Sequence, residues 1–346
     1  PGVGSKMTFT AGGTSARSQA AVLSLYDTNR LKGAASVSQL LESEDKLMNW
    51  DDLDQKIKAG LTGQIRILSH TNNSPTFKAA VNAFVAKYPG AKWVQYDPIS
   101  SSAQIEVNKS VHGVAGLPAY NFDKAMCVVG IEADFLGTWI SPVEYTKDYI
   151  KNRKVTDADI DKGADKIMSM HIQFESGMSL TGSNADQRVL IKPSERAAAI
   201  GMLYTKVAEK MGYSPSSLSF KPTFEWAKAA KAIDSTAEHL KKNAGKALVV
   251  CGINDVNIQM VVNEINKMIG AFGNTMTIDK NVHSKQRQGS DSDLNALLDD
   301  MKNGSVNALI VCDGANPAYD IPGKADEFAK SLSKVALSVS LSLSLD

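Results

Sequence analysis

Residues 174–186, FESGMSLTGSNAD, run straight into the apolar Val189-Leu190-Ile191. Small polar residues at that density can turn several backbone N–H groups and hydroxyls toward one phosphate, the chemistry of an anion-binding loop at a strand end. Three other loops follow apolar runs in the same way: 130–139 (GIEADFLGTW), 252–257 (GINDVN) and 314–322 (GANPAYDIP). None of the four is a Gly-x-Gly-x-x-Gly fingerprint or a Walker A loop, so ordinary NAD and NTP binding are not indicated. Glycine after a strand is also a plain turn residue.

Other chemistries find less support. No Gly-x-Ser-x-Gly elbow is present, and no serine or cysteine has a histidine partner by local motif. Cys127, Cys251 and Cys312 sit far apart in apolar stretches and read as buried strand cysteines. An iron–sulfur cluster needs four thiolates, and His70, His112, His171, His239 and His283 supply no zinc spacing. The acid pairs Asp51/Asp52 and Asp299/Asp300 read as solvated helix surface, as does the run TDADIDKGADK at 156–166.

The elements that must position these loops repeat as strand, loop and helix. Strands are expected at 65–70, 92–97, 124–130, 166–172, 246–252 and 307–314, with helices near 143–152, 194–211, 255–271 and 291–303. The stretch SPTFKAAVNAFVAKYPG opens a further helix, with Ser74 as N-cap and Pro75 at its first position. The pattern predicts parallel sheets with crossover helices, their strands apolar on both faces. Such sheets bind ligands beyond the carboxyl ends of their strands. The division expected is leading helices and linker at 1–64, a first α/β subdomain at 65–211, a junction at 212–245 and a second subdomain at 246–346. The closing VALSVSLSLSLD alternates strictly, a period-two strand at which the second subdomain reads as cut short.

With 346 residues, 43% of them hydrophobic, the chain has material for two domains with real cores. A net charge of +1 with interspersed signs gives no footprint for nucleic acid. No apolar run is long enough for a transmembrane helix, and the first residues carry no signal-peptide pattern. The chain opens on Pro rather than Met, as a processed product or part of a longer polypeptide would.

Taken in series, several motifs resemble the molybdopterin oxidoreductase fold. GTSARSQAAVLSLYDTNRLKG (13–33) followed by MNWDDLDQKI (48–57) resembles the opening helices of that family. DKAMCVVGIEADFLGTW resembles the strand and loop that usually read Gly-x-Asn-Pro. NADQRVLIKPSERAAAIGMLY resembles its Ala-Asp, strand, Arg-Pro-Gly and helix passage. GKALVVCGINDVN and NALIVCDGANPAYDIP resemble two later elements, the last keeping Asn316-Pro317. The resemblance implies an α/β fold of parallel sheets in two subdomains and, for a working member, a metal held by two pterin dinucleotides.

Departures from the family pattern fall on the gripping residues. The Asp-Pro-Arg usual after one strand is replaced by Glu175-Ser176-Gly177, and the Gly-x-Asn-Pro loop has become Gly130-Ile131-Glu132-Ala133. Glu132 beside a pyrophosphate would add like-charge repulsion. In the metal-ligand segment only Ser100 and Ser101 stand where a ligand would be needed. Ser100, Ser101, Glu132, Glu175 and Asn316 are therefore read as positions of a vestigial pterin site, with no catalytic residue, metal or cofactor expected in this chain. The loop at 174–186 is read as structure, its glycines kept for the turn.

DFLGTWISPVEYTKDYIKNRK (134–154) with MHIQFESGMSLTGSNADQRVLIKPSE (170–195) resembles the iron–sulfur subunit of bacterial alternative complex III, a quinol-oxidising membrane complex that passes electrons to cytochrome c or an oxidase. That resemblance implies a cofactor-less scaffold domain on the periplasmic face of the inner membrane. Its iron–sulfur clusters would lie in a later part of the same polypeptide. Multihaem cytochrome and quinol-binding membrane subunits would be its partners. Two other readings stand beside it. One is a fragment of a catalytic molybdenum or tungsten bis-pterin oxidoreductase, with Arg188 or Lys192 as cationic partner of the dinucleotide. The other is a degenerate pterin-like domain in another respiratory complex, such as the large iron–sulfur subunit of an NADH dehydrogenase.

Overall fold

The computed structural model describes residues 10, 12–42, 47–157, 167–215, 227–312 and 314–344. The start of the chain, most of the acidic run at 156–166 and part of the expected junction at 212–245 fall outside them. Ten strands are described: β1 Ile65–Ser69, β2 Ala91–Gln95, β3 Ala119–Tyr120, β4 Cys127–Ile131, β5 Met170–Glu175, β6 Gln187–Leu190, β7 Ala247–Cys251, β8 Met276–Thr277, β9 Ala308–Val311 and β10 Leu337–Ser340. The described helices of eight residues or more are α1 Trp50–Gly60, α2 Pro75–Lys87, α3 Ser102–His112, α4 Pro142–Lys151, α5 Arg196–Met211, α6 Ala227–Lys242, α7 Val256–Met268, α8 Asp291–Lys302 and α9 Ala325–Leu332.

These elements form two compact units. The first comprises residues 103–286 with the described residues up to 16, and the second comprises 17–102 with 287–344. Each unit holds a four-stranded, all-parallel sheet. In the first the order is β6-β5-β4-β7, and in the second β10-β9-β1-β2. The fold class expected from the sequence, parallel sheets with crossover helices in two subdomains, is the one observed.

The division along the chain differs from the expected one. Strand β7 pairs with β4, so residues 246–286 belong with the first unit, while β9 pairs with β1 in register Ile65 to Ala308. Helix α6, placed in the junction by its Ser- and Lys-rich surroundings, packs on α5 within the first unit. Composition marks loops, but which strand lies beside which is a long-range choice that local patterning does not encode.

Local signals hold well. Ser74 Oγ accepts from the N–H of Phe77 and Pro75 starts α2. Asp255 caps α7 through the N–H of Ile258, and Ser290 caps α8 through that of Asp293. Helix α5 ends on Gly212 at φ 78°, the left-handed turn glycine adopts most readily. The first unit's core is continuous, running from Leu117 through both faces of the β4–β5–β7 sheet to Met276. All three cysteines are buried, as their apolar neighbours indicated. Burial pushes the thiols of Cys127 and Cys251 up to about 12, so they are packing groups rather than nucleophiles. Among the described residues no helix is long and apolar enough to cross a membrane.

Candidate functional site

In the first unit the strand order reverses between β4 and β7, and the crevice beyond their carboxyl ends is where open α/β sheets hold ligands. The loops there are 132–138 after β4, 176–186 after β5 and 252–255 after β7. Glu132 opens the first of them at φ 51°, a left-handed backbone that costs a side-chain-bearing residue about 1–2 kcal/mol. Its carbonyl lies so close to Gly252 that a Cβ at that position would collide with it.

Three carboxylates face these loops, and each is engaged by the chain itself. Glu132 Oε1 accepts from the N–H of Ser176 at 2.9 Å, from its hydroxyl at 2.5 Å and from Arg196 Nε at 2.8 Å. Asp134 Oδ1 accepts from the N–H and hydroxyl of Thr181 at 3.1 and 2.8 Å. Glu175, only 2% exposed, accepts from Arg188 Nε at 2.5 Å, the Ser179 hydroxyl at 2.6 Å and the Ser179 N–H at 3.2 Å. Burial alone would raise the Glu175 carboxyl, but the Ser179 and Arg188 hydrogen bonds outweigh it and hold the group below its ordinary value. The Gly182 Cα lies against this carboxylate, leaving no room for a side chain. Neither Gly177 nor Gly182 adopts the left-handed backbone, so the turn expected to require them is made without it and Gly182 is needed for close approach.

Behind Glu175 runs a row of polar side chains. His171, Gln173 and Glu175 alternate with Met170, Ile172 and Phe174 along β5, so they share one face. Tyr149 Oη lies 2.9 Å from His171 Nδ1, and Gln173 Oε1 lies 3.4 Å from His171 Nε2. Gln173 Nε2 in turn donates to Glu175 Oε2 at 3.5 Å. Burial pushes the His171 imidazole down to about 4, so it is neutral at ordinary pH. The reading of 166–172 as an apolar strand passed over this row, although the period-two polar set in MHIQFE was there to be read. Arg196 and Asp134 were also missed. Arg196 meets Glu132 across 64 positions, and no spacing rule signals a pair that distant.

Ser100, Ser101 and Asn316 belong to the second unit, whereas Glu132 and Glu175 belong to the first. Ser100 Oγ accepts from the N–H of Ser102 at 3.1 Å, a local turn contact. Asn316 Oδ1 accepts from the N–H of Ala318 at 3.1 Å, capping the short turn Pro317–Asp320. In that unit the edge beyond β1, β2 and β9 gathers on Asp320. Its Oδ2 lies 2.9 Å from His70 Nε2 and accepts from Tyr96 Oη at 2.5 Å and from the N–H of Asn316 at 3.2 Å. Burial would raise this carboxyl, but the hydrogen bonds from Tyr96 and His70 hold it below its ordinary value. Close by, the buried Asp97 accepts from the N–H of Gly289 at 3.0 Å and the Thr71 hydroxyl at 2.7 Å.

No protein-family profile matches the chain, and no curated protein matches it. Solved structures do. Acetylene hydratase from Pelobacter acetylenicus aligns with TM-score 0.60 at 11% identity, over 94% of this chain and 55% of that one. The formyltransferase/hydrolase complex (FhcABCD) from Methylorubrum extorquens, solved with methylofuran, aligns with TM-score 0.50 at 11% identity, over 80% of this chain and 77% of that one. At such identities the likeness is one of fold, and the chain has the molybdopterin-oxidoreductase-like α/β fold. It spans just over half the length of acetylene hydratase.

A pterin dinucleotide is the group this fold implies, and the residues at the first unit's edge do not fit it. The N–H groups of Ser176, Ser179 and Thr181, with Arg188 and Arg196, are the donors that could meet phosphates, and carboxylates of the same chain already hold them. Arg188, the cation considered for a dinucleotide, is committed to Glu175. Among the described residues no three of His, Cys, Asp and Glu converge as metal ligands.

Proposed function

We propose that this chain is a molybdopterin-oxidoreductase-like scaffold that carries no pterin, the domain of an iron–sulfur subunit in a quinol-oxidising complex of the alternative complex III type. The observation that supports the first half is the internal neutralisation of the switch-point loops. Ser176, Thr181, Ser179, Arg188 and Arg196 are bound by Glu132, Asp134 and Glu175. A phosphate entering there would have to displace a carboxylate and would meet its negative charge. The second half rests on the motifs at 134–154 and 170–195. In that setting the domain sits on the periplasmic face of the inner membrane as an assembly surface. Electron transfer belongs to clusters elsewhere in the polypeptide and to multihaem and quinol-binding partners.

The test is elemental and pterin analysis of the domain purified with its parent assembly. Iron without molybdenum or tungsten, no fluorescent pterin after oxidative release, and a haem spectrum co-purifying with the chain are the expected results. Stoichiometric molybdenum or tungsten with pterin would replace this reading with the catalytic bis-pterin alternative. Absence of any haem-bearing partner would remove the assignment to the respiratory complex.

A further inference from the structure

Glu132 occupies the position of greatest ligand-binding promise in the first unit, and it does so in a conformation its residue type disfavours. It follows β4 at the strand-order reversal, with φ 51°. One oxygen, Oε1, draws together a main-chain N–H and a hydroxyl from Ser176 and the Nε of Arg196. Arg196 Nη2 also donates to Ser176 Oγ at 3.1 Å, tying the cation to the hydroxyl. The Glu132 side chain is 17% exposed and that of Arg196 35%, so the cluster opens to solvent on its cationic side. A backbone N–H, a hydroxyl and a guanidinium converging on one oxygen form a donor set suited to a small oxyanion.

We infer that Ser176 and Arg196 form an oxyanion site that the chain occupies with its own Glu132 carboxylate, a built-in surrogate for a phosphate-class ligand. The inference rests on the reading that this edge carries no dinucleotide, and it adds which residue excludes one. The backbone at Glu132 is one that its residue type disfavours. Asparagine tolerates the left-handed conformation, and glycine adopts it freely. Either replacement withdraws the carboxylate while leaving the Ser176 and Arg196 donors in place.

The experiment compares the 346-residue chain with its Glu132→Asn and Glu132→Gly variants, each confirmed folded by circular dichroism. Thermal unfolding is followed in phosphate and in chloride of equal ionic strength. Phosphate at about 10 mM is expected to raise the Tm of either folded variant by roughly 2–4 °C over chloride, with no such difference in the wild type. Adding Arg196→Ala to the variant is expected to abolish the phosphate-specific shift. Two results overturn the inference: no phosphate-specific shift in whichever variant folds, or an equal shift in the wild type. Neither result touches the scaffold reading, which falls only if the wild-type assembly carries molybdenum or tungsten with pterin.

Discussion

Strands β4 and β7 of the first unit are buried along their whole length and β5 nearly so, and they rest in one continuous core. In the second unit only β1 is buried throughout. Strands β2 and β9 alternate or fade at one end, β10 is half-buried at best, and the described apolar side chains divide into separate clusters. The carboxyl edges differ in parallel. The first is clamped by arginine–carboxylate pairs around Glu132 and Glu175, and the second gathers tyrosine, histidine and amide donors on Asp320. Two parallel sheets of different strand order thus carry a charge-locked edge in one unit and a milder polar one in the other.

Core truncation tests the contrast most severely. Phe135 is fully buried, with ring centroids 4.6 Å from Phe122 and 5.2 Å from His171. Phe135→Ala is expected to cost about 3–5 kcal/mol in urea unfolding. Leu337→Ala, in the half-buried β10, is expected to cost about 1–2 kcal/mol. Equal losses would break the contrast between the first unit's continuous core and the half-buried strand at the second unit's edge.

The edges come next. Arg188→Ala leaves Glu175 buried without its cation and is expected to cost about 3 kcal/mol at neutral pH. Asp320→Asn keeps the shape and most hydrogen bonds and is expected to cost about 1–2 kcal/mol. Glu175 has a carboxyl held below its unfolded value, so the stability it contributes is present above that unfolded value, about 4.3. It is lost as pH falls through the folded one. The penalty of Arg188→Ala should shrink over the same acid range, and a penalty constant with pH would mean the pair is not the cause.

The mildest effect per step is the histidine's. With a folded value of about 4 and an unfolded value near 6.5, His171 stays neutral in the fold while the unfolded chain takes up a proton. Stability should therefore fall by about 1.4 kcal/mol for each pH unit below 6.5, levelling near pH 4. His171→Gln should flatten that slope, and an unchanged slope would assign it to another group.

Much of the fold was legible because its signals are local. The N-cap Ser74 and the apolar runs of β1, β4, β7 and β9 each announce an element within a few residues. The candidate site was legible only in part. Glu132 and Glu175 stood out as charges in loops of small residues, and the structure sets Glu132 on Ser176, the residue that follows Glu175. Their partners did not stand out, because Arg196 lies on a helix start and Arg188 on an edge strand, where a cation needs no explanation. Asp300, read as solvated surface, holds the buried Arg66 at 3.1 Å, a pairing across 234 positions. Sequence reports the composition of a neighbourhood well and its membership poorly.

The interleaving of the two units also bears on how the chain is made. Strand β1 needs β9 as its neighbour, and the 64–307 contact between the Gln64 N–H and Asn307 pins that pairing. About 200 residues of translation separate the end of β2 from β9, roughly 10–40 s at ribosomal speed. During that interval the first unit's sheet can complete itself, since all four of its strands emerge between residues 127 and 251. The β1–β2 pair must meanwhile wait with an open, apolar edge at Ile65, Ile67 and Leu68, which makes it the stretch of the nascent chain most in need of a chaperone's protection.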